Sequence, residues 1–364
     1  MKNKKTLVIV AAVVVVLAVV LGIVFLGGNE TPAPVTEKEY KLGMGVVVST
    51  ASSKTGNAQV DATVATVVLD DAGKIVACRI DVAQNKMVVT DGEVELNKTF
   101  ETKMELGTRY GMGGSAYAPD NNGDGKVLEW DVQTKEFEKY VVGKTAAQVA
   151  AMTTKTVNNH EISTDDALLN AGCTIQITDF RDAVVKACKD AQGVSFKTAG
   201  TVKLGVAAIT TVDEATKAAT EEADGTVAMY TDFAASAVVD GKIVASLNDA
   251  IQPKITINTA GEIVGSAFKG TKRELKGEYG MAAAVNYGMD WNGDGVVKEW
   301  FEQSLAFSKH VVGMTAAQVK AMGTQEVPGQ HYIISNDEAL LSAGCTIQIT
   351  GIKAVVAQSV TNAR

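Results

Sequence analysis

Residues 171–178 read Ala-Gly-Cys-Thr-Ile-Gln-Ile-Thr, and residues 343–350 read the same eight residues in the same order. An octapeptide that returns unchanged marks an internal duplication, and matches extend outward from it. Val141-Val142-Gly143 with Thr145-Ala146-Ala147-Gln148 returns as Val311-Val312-Gly313 with Thr315-Ala316-Ala317-Gln318. Asp120 to Trp130 (DNNGDGKVLEW) returns as Asp290 to Trp300 (DWNGDGVVKEW). Further back, Thr102-Lys103 with Tyr110-Gly111-Met112 returns as Thr271-Lys272 with Tyr279-Gly280-Met281. Gly73-Lys74-Ile75-Val76-Ala77 returns as residues 241–245, and Lys41-Leu42-Gly43 as Lys203-Leu204-Gly205. The spacing grows from 162 residues at Lys41/Lys203 to 172 at Ala171/Ala343. A unit of about 160 residues is too long for a solenoid repeat and has the size of a whole domain.

Within one unit the order of elements is legible. Val60 to Leu69 alternates and is rich in Val and Thr, Asp70-Asp71-Ala72-Gly73 turns, and Lys74 to Val82 alternates again, which predicts a hairpin. Thr226 to Val239, the Asp240-Gly241 turn and Lys242 to Leu247 repeat it. Thr145 with Gln148, and Ser163 with Asp166, fit helix starts. The second of these helices is expected to end at Gly172 in a left-handed cap, with Cys173 to Thr178 following as a strand. Phe180, Ala183, Val184, Ala187 and Cys188 then recur at helical spacing, with Ile352, Val355, Val356 and Val360 at matching places. Strands and helices in one unit predict an α+β fold, present as two tandem domains at 39–195 and 196–364. The boundary falls in the polar stretch holding Lys189, Asp190, Gln192 and Gly193, and each half is expected to fold alone.

The N-terminus opens Met1-Lys2-Asn3-Lys4-Lys5, and Leu7 to Leu26 then runs apolar without a charge. About 20 helical residues span the hydrocarbon core of a bilayer, so residues 1–28 read as cytoplasmic lysines plus a single transmembrane helix. Residues 29–38, with Pro32 and Pro34, read as a stalk. The lysines place the rest of the chain outside the cytoplasm. The competing reading is a cleaved signal peptide, whose apolar region is about 7–15 residues. Hydrophobic residues at 46% and charged residues at 21% predict a packed core. A net charge of −8 with 5% aromatic residues argues against nucleic acid as partner. A protein or small-molecule partner is left open.

Two stretches carry candidate chemistry. Asp120, Asn122 and Asp124, matched by Asp290, Asn292 and Asp294, place oxygen ligands at alternate positions before a glycine, a pattern suited to calcium. Position 12, where an EF-hand has its glutamate, holds Asp131 and Phe301, while Glu129 and Glu299 stand at position 10. The same residues also make an ideal surface turn without metal.

The second stretch is Ala171-Gly172-Cys173-Thr174 and its copy Ala343-Gly344-Cys345-Thr346. Hairpin, middle helices, a glycine-small-Thr turn and an amphipathic helix, in that order, resemble the FMN-binding domain family. That family includes flavin-carrying subunits of membrane redox complexes and extracellular flavoproteins of Gram-positive bacteria. The resemblance implies FMN esterified to Thr174 and Thr346, with Gly172 and Gly344 shaping the turn, and an electron-carrying role on the extracytoplasmic side of a Gram-positive cell membrane. This chain has Ala171 and Ala343 at the motif's serine, Cys173 and Cys345 at its alanine, and Leu168 and Leu340 at an upstream aspartate. The residues by themselves equally fit a turn from helix into a buried strand, with the threonine hydroxyl tied to the backbone. The rival function is a non-enzymatic surface binding or structural protein with calcium-stabilised domains. Either way, a carrier or binder is expected rather than a catalyst. Cys78, Cys173, Cys188 and Cys345 are expected as buried free thiols, and His160, His310 and His331 form no repeated cluster that would hold zinc.

Overall fold

Val, Ile and Thr crowd the first half of each repeat, and these stiff side chains favour extended backbone. The computed structural model describes residues 36–113, 120–282, 293, 295–327 and 332–364. In the first repeat, Lys38–Ser49, Asn57–Leu69 and Ile75–Thr90 pair as antiparallel neighbours, with Glu93–Val94 on one edge and Ser195–Thr198 on the other. In the second, Gly225–Val239 is central between Lys203–Val212 and Lys242–Ile251. Its two-residue turn has positive φ at both Asp240 (49°) and Gly241 (75°), the twist that joins antiparallel strands tightly. The 16-residue strand Ile75–Thr90 is split in the second copy into Lys242–Ile251 and Lys254–Ile257. Pro253 lies at the break and has no N–H to give to a ladder.

The expected apolar stripe is the buried face of the helix Thr178–Asp190: Phe180, Ala183, Val184, Ala187 and Cys188. This helix and its copy Thr350–Thr361 each lie against the outer face of their own sheet. Bare glycines permit the approach. A Cβ on Gly43 would overlap the carbonyl oxygen of Ala187, and one on Gly205 that of Ser359.

The inner faces of the two sheets pack on each other. Leu42, Val46, Val60, Val64 and Met87 of the first repeat share one core with Leu204, Val206, Met229, Phe233 and Leu247 of the second. The layers therefore run helix, sheet, sheet, helix. Ala62 to Leu69 is buried at every position, because both faces of its sheet are covered.

These findings correct the expected fold. The α+β class stands, but the copies are not self-contained tandem domains following a transmembrane helix. Lys38–Arg364 is one compact unit, and the core between the sheets belongs to both repeats. Ser195–Thr198, which straddles the expected boundary at 195/196, pairs with Lys38–Lys41. Among the described residues no helix is long and apolar enough to cross a membrane. The stretch Leu7–Leu26 lies outside the described residues. The expected strand at Cys173–Thr178 is also absent, since Thr178 already opens the long helix and 173–177 is irregular. Buried side chains at Cys173 and Ile177 explain the apolar alternation that suggested a strand.

Candidate functional site

The Gly-Cys-Thr turn is built by the short helix before it. Asp165, not Ser163, caps the helix Asp166–Asn170, its Oδ1 accepting from the N–H groups of Ala167 and Leu168. The helix ends as expected, with Gly172 at φ 92° and Gly344 at φ 82°. Leu128 covers Gly172 where a Cβ would stand. In the copy Lys298 takes that place, and its Nζ donates to the carbonyl of Ala343 at 2.8 Å.

The glycine does not turn the threonine outward. Thr174 and Thr346 are only 6% and 7% exposed. The N–H of Thr174 donates to Gln133 Oε1 at 2.8 Å and its hydroxyl to the same atom at 3.2 Å. Thr346 does the same with Gln303, at 2.7 and 3.2 Å. Each glutamine's Nε2 in turn donates to a backbone carbonyl, Gln133 to Leu128 at 2.7 Å and Gln303 to Lys298 at 2.8 Å. A flavin phosphate needs a hydroxyl it can reach, and these two are spent on buried glutamines. The residues present do not fit a threonine-linked flavin.

The acidic loop lies beside this turn, so the two sequence candidates of the first repeat form one site. Asn121 Nδ2 donates to the carbonyl of Thr174 at 2.9 Å, and Asn122 Nδ2 to that of Leu169 at 3.3 Å. The Asp120 carboxylate accepts from the N–H groups of Gly123 (2.7 Å), Asp124 (3.2 Å) and Gly125 (2.7 Å). These donors, Gly125 foremost, hold its carboxyl below the usual range. Asp124 accepts from Lys126 N–H and from Asn122 Nδ2. Glu129 and Glu299 are occupied elsewhere, accepting from the N–H groups of Met112 and Met281 at 3.0 Å. One oxygen is left over: Asn122 Oδ1 is buried and has no hydrogen-bond partner among the described residues. Asp290, Asn292 and Asp294 lie outside the described residues. Among the described residues no group of three His, Cys, Asp or Glu side chains is placed to hold a metal ion.

All four cysteines are free and buried. Burial pushes the thiols of Cys173 and Cys345 up to about 12 and that of Cys188 to about 11, which keeps them protonated and unreactive.

Sequence reasoning missed Gln133 and Gln303. Their signal is the Trp-x-x-Gln spacing shared by Trp130 and Trp300, which places the amide one helical turn inside each helix. A second repeated pair, Lys103 and Lys272, lies beside aromatic rings. Lys272 is 7% exposed, with its Nζ 4.5, 4.8 and 5.4 Å from the ring centres of Tyr230, Tyr279 and Trp300. Burial lowers its ammonium to about 8 and raises the nearby Asp232 carboxyl to about 7. Lys103 makes the same contacts with Tyr110 and Trp130, at 4.8 and 5.4 Å. Thr102 and Thr271 are capping-box residues, each accepting from the N–H three residues on. No family model matches this chain, and no curated protein or solved structure matches it either.

Proposed function

We propose that this chain is a non-enzymatic binding or structural protein, in which two copies of one unit have fused across their sheets. One observation carries the reading: the hydroxyls of Thr174 and Thr346 point inward onto Gln133 and Gln303 and serve the fold. The test is the visible absorption spectrum and intact mass of protein from its native host. The expected result is a colourless protein without added mass, unchanged in Thr174→Val and Thr346→Val. A yellow protein that loses one flavin mass with each substitution would reinstate the electron carrier.

A second reading, calcium bound by Asp120, Asn122 and Asp124, is favoured by the unpartnered Asn122 Oδ1, because calcium collects six to eight oxygens and would satisfy it. Against it, three backbone donors already hold Asp120 in place. Calcium at millimolar concentration separates the two. A rise in melting temperature that disappears in the Asp124→Ala, Asp294→Ala double variant selects the ion. An unchanged melting temperature selects the plain turn.

A further inference from the structure

A groove of about 330 Å³ opens where the two repeats meet, the size of a small-ligand site. Phe301 of the second repeat gives it apolar surface, beside Met44 and Val46 of the first strand, whose side chains are buried in the core between the sheets. Four basic side chains also line it: Lys186, Lys189, Arg273 and Lys276. Two of them are neutralised. Arg273 forks onto Asp190 at 3.0 and 2.9 Å, and Lys186 Nζ donates to Glu274 Oε1 and to the carbonyl of Val46, both at 2.9 Å. Asp249, also on the wall, turns its carboxylate to the N–H groups of Ala250 and Arg273. Lys189 and Lys276 have no hydrogen-bond or ion-pair partner among the described residues.

Lys276 stands out for its backbone. It follows the short helix Lys272–Leu275 with φ 49° and ψ −123°. In the first repeat the equivalent residue is Gly107, with φ 49° and ψ −125°. Glycine adopts this conformation freely, whereas a side chain makes it strained. The second repeat thus keeps the glycine conformation while carrying a lysine there, and that lysine borders the groove.

We infer that the groove binds a small organic phosphate, its dianion held by Lys189 and Lys276 and its apolar part laid on Phe301. Two unneutralised ammonium groups match a doubly negative head, and the apolar floor requires a carbon substituent. Small size and a net charge of −8 on the whole chain exclude a polyanion. The inference is independent of the threonine site and goes beyond it by naming a ligand class.

The test uses the full chain with phenyl phosphate as probe, followed by calorimetry, with phenol as the neutral control. One phenyl phosphate per chain should bind, more weakly as salt rises, and phenol should not bind. Lys276→Gly and Lys189→Ala should each weaken binding about tenfold, the loss of one charge-assisted contact. Lys276→Gly should at the same time raise the melting temperature of the unliganded protein by about 2 °C or more, as strain is relieved. That rise shows that the weaker binding is not misfolding. The inference is overturned by the absence of binding at millimolar probe, by equal binding of phenol, by unchanged affinity in both variants, or by a lower melting temperature for Lys276→Gly.

Discussion

The guanidinium of Arg364 reaches from the second repeat to Glu138 in the first, with Nη2 at 2.7 Å from Oε2 and 3.0 Å from Oε1. Glu138 is 2% exposed, and its other neighbours are the N–H of Ile80 at 2.9 Å and Arg79 at 3.6 Å. Arg79 also donates to the carbonyl of Arg364, whose backbone exchanges hydrogen bonds with Leu204. The last residues of one repeat are thereby fastened to a buried charge in the other. The corresponding residue of the second repeat is Ser308, which needs no counter-ion.

Arg364→Ala should lower stability by about 1–2 kcal/mol, less than for a fully buried pair because the arginine side chain is 45% exposed. Burial raises the Glu138 carboxyl and Arg364 pulls it back down. The penalty should therefore be larger at pH 8, where the carboxylate is charged, than at pH 4. Urea unfolding of Arg364→Ala, Glu138→Gln and the double variant reads the coupling, and additive effects would disprove the fastening.

Asp81 and Asp249 occupy equivalent places in the two sheets, 3% and 5% exposed, and burial pushes both up to about 6. Their unfolded values lie near 4, so between about pH 4 and 6 the folded chain binds more protons than the unfolded chain. Stability from these groups is present below pH 4 and lost as pH rises through 6, on the order of 2 kcal/mol each. Asp81→Asn with Asp249→Asn should flatten the pH dependence relative to the parent between pH 4.5 and 7.5. Parallel curves would show that burial does not govern these carboxyls.

Gly43→Ala and Gly205→Ala should each cost about 1–3 kcal/mol, since a methyl at either place meets a helix carbonyl and forces the helix off its sheet. Gly73→Ala serves as a control, because nothing lies near its Cβ position and only its φ of 74° opposes the change. Equal losses at all three positions would show that close approach is not what the first two glycines provide.

Gln133→Ala leaves the Thr174 N–H and the Leu128 carbonyl without their partner in a buried place, at about 1–3 kcal/mol. Gln303→Ala should match it in the second repeat. Amide hydrogen exchange should quicken at Thr174 in the first variant and at Thr346 in the second. Unchanged exchange would mean the glutamines do not hold the turns.

Chains of residues 36–195 and 196–364 expressed separately should fail to give monomers with sharp unfolding transitions, because each would expose the sheet face that carries Leu42, Val46 and Val64 or Leu204, Met229 and Phe233. Mixing the two should restore a soluble pair. Two separately stable monomers would show that the shared core is dispensable.

The sequence by itself determined the duplication, the hairpins, the amphipathic helix Thr178–Asp190 and the left-handed exits at Gly172 and Gly344. Each of these is written in local periodicity or in the φ a residue tolerates. Lys41-Leu42-Gly43 and Lys203-Leu204-Gly205 were legible as a repeat, but not as the places where helices touch sheets. What only the tertiary structure decided lies at longer range. Whether Thr174 faces a pocket or Gln133 depends on a helix 41 residues earlier in the chain, and a single turn cannot report its partner. Whether the two units stand apart depends on their inner faces, and an apolar sheet face reads the same whether a helix, a partner or its own copy covers it. The covering element here is the other repeat, because two like faces of Val, Leu, Met and Phe remove more apolar surface from water together than apart.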